Sequence, residues 1–192
     1  MDCRESSSEP QPATAPGRVV VARADIARRV QELADGIAER YAGRELTILA
    51  VLTGALIFLA DLIRRMPVMM RVDLVSVSSY PGAATASRGP ELTRAWTVEL
   101  SGRHVLVVDD ILDSGGTLEM MRSAVADAGA ADVQTCVLLR KRRDDLPERI
   151  RPEFVGFDVP NEFLVGYGLD HDSLYRNLPD VRALSRPQGD GT

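Results

Sequence analysis

Cysteine is nearly absent from this 192-residue chain. The two it has, Cys3 and Cys136, lie far apart, with no CxxC pair and no zinc-ligand spacing, so a disulfide framework is excluded and a reducing, cytoplasmic setting fits best. Net positive charge is lacking too. With 23 Lys and Arg against 28 Asp and Glu, the formal charge of -5 argues against nucleic-acid binding through a generally basic surface and favours a small-molecule partner. The opening residues Met1–Pro10 mix acids and serines without the apolar stretch of a secretory signal, and a disordered tail is expected over residues 1–17. Only one long hydrophobic run occurs, from Leu46 to Ile63. Thr53-Gly54 interrupts it and Asp61 sits inside it, so no membrane span is expected: Thr47–Leu52 reads as a strand buried on both faces, and Ala55–Met66 as a helix after a tight turn. The nucleotide-binding runs GxxxxGK[ST] and GxGxxG are missing, as is the GxSxG elbow, and His104 and His171 fall in no metal-ligand spacing and receive no role.

What is present is an alternation of strands and helices. Ile26, Val30, Leu33 and Ile37 share one face of a helix over Asp25–Tyr41, and Val72–Val77 alternates as a strand. Tyr80–Thr93 is small, Gly/Pro-containing and nearly devoid of large apolar residues, which predicts a long exposed loop. A short strand is expected at Trp96–Leu100, a strong one at Val105–Val108, a helix over Thr117–Ala128 closed by Gly129, and another buried strand at Asp132–Leu139. From Pro152 onward, short apolar runs at Phe154-Val155 and Phe163–Val165 are separated by loop residues. The pattern predicts an α/β domain with a mainly parallel central sheet flanked by helices. A composition of 45% hydrophobic and 27% charged residues supports one sizeable core.

The chemistry concentrates in Val107-Val108-Asp109-Asp110-Ile111-Leu112-Asp113-Ser114-Gly115-Gly116-Thr117-Leu118. An apolar strand delivers two adjacent carboxylates near its C-terminal end, where open α/β sheets bind ligands. Ser114–Thr117 then forms a small-residue turn into a helix N-terminus, whose backbone N–H groups, hydroxyls and dipole suit a monophosphate. Adjacent carboxylates can accept hydrogen bonds from a vicinal diol and neighbour a magnesium ion. The expected ligand is therefore a ribose 5-phosphate. A competing reading makes the same run an ordinary capped helix, with Asp113 or Ser114 as the cap and the acids solvated.

The run VVDDILDSGGTL resembles the phosphoribosyl-pyrophosphate signature of the type I phosphoribosyltransferases. The stretches LAVLTGALIFLADLI, VSSYPG, LLRKR and FVGFDVPNEFLVGYGLDHDSLYRNLPDV extend the resemblance, from about Val19 to Leu184, to the bacterial hypoxanthine (hypoxanthine-guanine) phosphoribosyltransferases. The resemblance implies the type I fold over residues 18–186, with a small hood from the terminal segments and a flexible tail at 187–192. It implies transfer of the 5-phosphoribosyl group to N9 of hypoxanthine or guanine, giving IMP or GMP and pyrophosphate with Mg2+ present, in a homodimer or homotetramer that binds neither nucleic acid nor membrane.

Residue by residue, Asp109 and Asp110 match the acids that hold the ribose hydroxyls and neighbour magnesium. Asp113 matches the acid/base residue at purine N7. Ser114, Gly115, Gly116, Thr117 and Leu118 match the 5-phosphate loop, while Thr53 and Gly54 match the pyrophosphate loop, where the family has a non-proline cis peptide. The family often has lysine where this chain has Thr53, which leaves more of the anion binding to backbone N–H groups. Arg176 matches an arginine on the pyrophosphate, Lys141 the donor to the purine 6-oxygen, Phe163 the ring that stacks on the base, and Leu164 the backbone reader of the purine edge. Asp170 matches an acid beside the base and a second magnesium. Ser79 and Tyr80 open the loop that forms a lid, with Pro81 a departure that would stiffen its hinge. The neighbouring Arg140, Arg142 and Arg143 read as a solvated basic patch followed by the acids Asp144, Asp145 and Glu148. Competing functions are transfer to xanthine or uracil, and a non-catalytic regulator that keeps the phosphoribosyl pyrophosphate site.

Overall fold

The computed structural model describes residues 17–78, 90–143 and 150–184. Its elements in chain order are β1 (Val19–Val21), α1 (Arg23–Arg40), β2 (Leu46–Leu52), α2 (Leu56–Ile63), β3 (Met70–Ser78), β4 (Glu91–Arg94), β5 (His104–Leu112), α3 (Gly116–Asp127), β6 (Asp132–Lys141), β7 (Phe154–Val159), β8 (Leu164–Val165) and β9 (Val181–Ala183). Residues 1–16 of the tail expected over 1–17, the tail expected at 187–192, the loop start at Ser79, Tyr80 and Pro81, and the acids Asp144, Asp145 and Glu148 lie outside the described residues.

The near-continuous apolar runs of the central strands follow from burial on both faces. Along β2, Ile48 and Ala50 pack with Ile26, Val30, Phe58 and Leu62 of α1 and α2, whereas Leu49 and Val51 pack with Leu118, Met121 and Val125 of α3. The same period-two division sends Leu106 and Val108 of β5 to the first core and Val105 and Val107 to the second. The six strands run in the order β4-β3-β2-β5-β6-β7, parallel except for the edge strand β4. From β2 the chain moves outward to β3, and from β5 it moves outward in the other direction to β6 and β7. The order therefore reverses between β2 and β5, the place where such sheets bind their ligands.

A second, antiparallel sheet, β1-β9-β8, is built from the two ends of the described chain and forms the expected hood. Three-residue strands have too little periodicity to be read in a sequence, so β1 went unforeseen. Among the described residues no helix is long and apolar enough to cross a membrane, and the run from Leu46 to Ile63 divides into strand, turn and helix.

Several boundaries differ from expectation. The helix expected to reach Met66 ends at Ile63, in keeping with Pro67 close behind it. Part of the expected loop Tyr80–Thr93 is strand: β4 pairs with Ser76–Ser78, its polar sequence giving no alternation to read. Trp96–Leu100 forms no strand. Its backbone donors go instead to Asp73 on β3, whose Oδ2 accepts from Thr97 N (2.5 Å), Thr97 Oγ1 (2.9 Å) and Val98 N (3.2 Å). Burial works against the Asp73 carboxylate, but the hydrogen bonds from Thr97, Leu74 and Val98 outweigh it and hold its pKa below the usual range.

A group with a depressed folded-state pKa contributes stability at neutral pH that is lost as the pH falls through that value. Asp73→Asn is expected to cost roughly 1 kcal/mol in urea unfolding at pH 7. The difference from wild type should disappear as the pH falls through the depressed folded-state pKa, below the ordinary carboxylate range. A difference that persisted unchanged into acid would show that the carboxylate charge is not what holds this segment.

Candidate active site

A cavity of about 410 Å³ opens at the C-terminal ends of β2 and β5, on the switch point. Gly54, Asp109, Asp110, Asp113, Ser114, Gly115, Thr117 and Leu118 all line it, so most of the sequence-predicted sugar-phosphate residues share one space. Gly116 is the first residue of α3 beside them. Thr53 is exposed and does not line the cavity, whereas Gly54 does, and the Leu52–Thr53 peptide bond is cis.

Gly54 is required by close approach. A Cβ there would stand 1.8 Å from Asp110 Oδ2 and 2.6 Å from its Cγ. From the other side, a Cβ on Gly168 would stand 2.1 Å from the Gly54 carbonyl oxygen, and Gly168 has a φ of +104°. The turn after β2 is thus pressed between the acid on β5 and the loop after β8 with no room for a methyl group.

β5 continues past Val108 to Leu112, so both acids are fixed by sheet pairing, with Asp109 opposite Val137 on β6. Burial, and then the neighbouring Asp110, push the Asp109 carboxyl well above the usual carboxylate range. Burial also raises Asp110, against the lowering effect of its contact with Asp109, the Ile111 N–H and Arg176. Oδ1 of Asp109 accepts from the Asp110 N–H at 2.9 Å, and Oδ1 of Asp110 from the Ile111 N–H at 2.8 Å. Two desolvated carboxylates facing a cavity are a site for hydroxyl donors or a cation.

The competing reading of this run as a side-chain-capped helix is not what the structure has. The N-cap of α3 is Gly115, in the left-handed region at φ +84°, and no side chain caps the helix. Its first N–H groups point out at the start of α3, beside the exposed Ser114 and the half-buried Thr117. A Cβ on Gly115 would meet Ile150 at 2.7 Å, so the residue is set by both conformation and packing.

Asp113 lies between two cations. Lys141 donates from Nζ to its Oδ2 at 2.7 Å, and Arg143 from Nη1 to its Oδ1 at 2.9 Å. Burial alone would raise its pKa; the hydrogen bonds and charges of Lys141 and Arg143 prevail and lower it. Arg143 therefore does not belong to a solvated patch, contrary to the expectation from the Arg140–Arg143 run, and it lines the cavity. Arg140 is not an isolated surface charge either, since Asp158 on β7 accepts two of its bonds, at 2.6 and 3.1 Å. Charge runs in sequence do not disclose which partners a strand register will supply.

The remaining residues stand around this centre. Arg176 donates to the Gly168 carbonyl at 2.6 Å and pairs with Asp170 at 2.7 Å, while the other Asp170 oxygen accepts from Ser173 N at 2.8 Å. Phe163 is exposed in the hood and Leu164 is buried in β8. The His171 ring meets the Phe163 ring edge-on at 5.2 Å, a partner that no spacing in the sequence reveals. Phe163, Leu164, Asp170, Arg176 and Lys141 do not line the 410 Å³ cavity itself. Among the described residues no group of three or more His, Cys, Asp or Glu gathers as a metal cage. Mg2+ does not need one, because it keeps several waters and takes one or two carboxylates plus substrate phosphate oxygens. Asp109 and Asp110 beside the helix N-terminus fit that donor set.

An acid pair ahead of an uncapped helix start, at the switch point of a mainly parallel sheet, suits a ligand that carries both hydroxyls and a phosphate. Comparison with known proteins narrows it. The phosphoribosyl transferase domain profile matches residues 20–172, and the chain belongs to that family. It is 36% identical over 167 residues to the hypoxanthine-guanine phosphoribosyltransferase of Lactococcus lactis, covering 87% of this chain and 90% of that protein. It is 38% identical over 168 residues to the hypoxanthine phosphoribosyltransferase of Salmonella typhimurium, covering 85% and 92%. A crystal structure of a hypoxanthine-guanine phosphoribosyltransferase from Bacillus anthracis superposes with a TM-score of 0.80 at 34% identity, over 88% of this chain and 99% of that one.

Proposed function

We infer that this chain is a purine salvage enzyme that transfers the 5-phosphoribosyl group of phosphoribosyl pyrophosphate to N9 of hypoxanthine or guanine, releasing pyrophosphate. The observation that carries the reading is that the buried Asp109, the half-buried Asp110 and the N-terminus of α3 open into one cavity. Asp109 and Asp110 accept the two ribose hydroxyls, and Ser114–Leu118 takes the 5-phosphate. The peptide at Gly54 and the guanidinium of Arg176 hold the pyrophosphate. Mg2+, bound by Asp109 and Asp110 with a second ion near Asp170, supplies charge compensation for the leaving group.

On the base side, Lys141 and Asp113 present a donor next to an acceptor, 2.7 Å apart. That pair complements the neighbouring 6-oxygen and N7–H of a 6-oxopurine. Adenine would set its amino group, itself a donor, against the lysine donor and offer it no acceptor. Phe163 covers the ring and the Leu164 backbone reads its edge. Charged, diffusible reactants are consistent with a cytoplasmic enzyme, assembled as a homodimer or homotetramer.

The test is product formation with hypoxanthine, guanine, xanthine, adenine and uracil, each with phosphoribosyl pyrophosphate and Mg2+. IMP and GMP are expected, with no AMP or UMP, and EDTA should abolish both products. Tight binding of phosphoribosyl pyrophosphate with no nucleotide from any base would replace the enzyme by a regulator.

A further inference from the structure

Lys141 and Arg143 approach the same carboxylate but cannot do the same job once a purine is present. Lys141 carries a compact ammonium on a flexible stem and is the donor assigned to the 6-oxygen, so base binding draws it from Asp113 Oδ2. Arg143 carries a planar, permanently charged guanidinium and holds the other oxygen, Oδ1, at 2.9 Å from the cavity wall. We propose that Arg143 is a positioning residue for phosphoribosyl transfer: it anchors Oδ1 of Asp113 and thereby aims Oδ2, vacated by Lys141, at the N7 proton of the purine. The proposal rests on the reading of Asp113 as the group that moves that proton.

The proton inventory closes. As the N9–C1′ bond forms and the C1′–oxygen bond to pyrophosphate breaks, the electron pair leaves with pyrophosphate and the N7 proton passes to Oδ2. Asp113 is then neutral until product departs. Through this step Arg143 keeps one full positive charge against the carboxylate, so Asp113 begins each cycle ionised even after its lysine partner has turned to the base. Among the described residues, the charged groups bearing on Asp113 are Lys141 at the end of β6 and Arg143 just beyond it, while Asp109 and Asp110 precede it on β5 and line the same cavity. In the base-free protein the two cations together outweigh burial at Asp113 and lower its pKa, as expected for a carboxylate shared between them.

The experiment is the pH profile of single-turnover IMP formation in wild type, Arg143→Gln and Arg143→Lys, with a carbon-13 NMR titration of the Asp113 carboxyl in the base-free proteins. In Arg143→Gln the acidic limb and the NMR midpoint are both expected to rise by about one pH unit. Arg143→Lys should return them toward wild type, and KM for phosphoribosyl pyrophosphate should stay near its original value in both. An unmoved limb and midpoint in Arg143→Gln would overturn the proposal, as would a loss of rate with both unmoved, which is what a merely structural arginine gives. The underlying reading fails separately: full turnover in Asp113→Asn removes the acid/base role itself, whereas an inactive Asp113→Asn beside an unmoved Arg143→Gln limb removes only Arg143's part.

Discussion

Asp113→Asn is expected to lower kcat by roughly two to four orders of magnitude, the usual worth of a positioned general acid or base. Binding of phosphoribosyl pyrophosphate should barely change. The reason lies in how the cavity is divided. Asp113 is bonded to Lys141 and Arg143, the residues proposed to meet the base, whereas the acids proposed for the sugar are Asp109 and Asp110 on β5. The asparagine keeps the shape and still accepts one hydrogen bond, but it cannot take the N7 proton, and it leaves two cations facing an amide. Titration calorimetry with phosphoribosyl pyrophosphate and Mg2+, run beside steady-state kinetics, separates the effects: equal losses in binding and turnover would argue against proton transfer as the role of this carboxylate. Asp113→Ala should show the same division.

The second large effect is expected at Gly54→Ala, a substitution of one methyl group. The added carbon would fall 1.8 Å from Asp110 Oδ2, and the peptide cannot retreat, because Gly168 already stands against the Gly54 carbonyl on the other side. Either the acid or the turn must move. Overpacking of this kind costs about 1–3 kcal/mol where it occurs in a core. Here it displaces a ligand group, so phosphoribosyl pyrophosphate affinity should fall on the order of 10- to 100-fold. Thermal unfolding should change far less than affinity, because the turn lies at the rim of the sheet. An alanine variant that binds with wild-type affinity would mean that Asp110 does not hold the sugar in the place proposed.

Much of this site was legible in the sequence for a simple reason. The chemistry is local: strand, two acids, a third acid, a small-residue turn and a helix follow within twelve residues, and each step has its own physical signature. The sheet was legible because strands buried on both faces, such as Thr47–Leu52 and Val105–Val108, are continuous apolar runs. The features that escaped depend on distant partners. β1 and β9 are three residues each and gain meaning only from pairing with strands far away in the sequence, β1 with β9 and β9 with both β1 and β8. Trp96–Leu100 has the alternation of a strand, but the carboxylate of Asp73 captures its N–H groups. Arg143 sits in a run of four basic residues that looks uniformly solvated, and the end of β6 turns it toward Asp113 while sending Arg140 to Asp158.

The hood has a consequence for how the molecule comes into being on the ribosome. β1 precedes every other described element, yet among the described residues its sheet partner is β9, and β9 is also what β8 pairs with. The Phe163 carbonyl is in turn held by the N–H of Leu184, the last described residue. The parallel sheet can therefore assemble while synthesis is still under way, but the hood, which carries residues proposed to meet the purine, closes only when β9 emerges, and a nascent chain short of β9 holds the proposed sugar-phosphate floor with no finished place for the base.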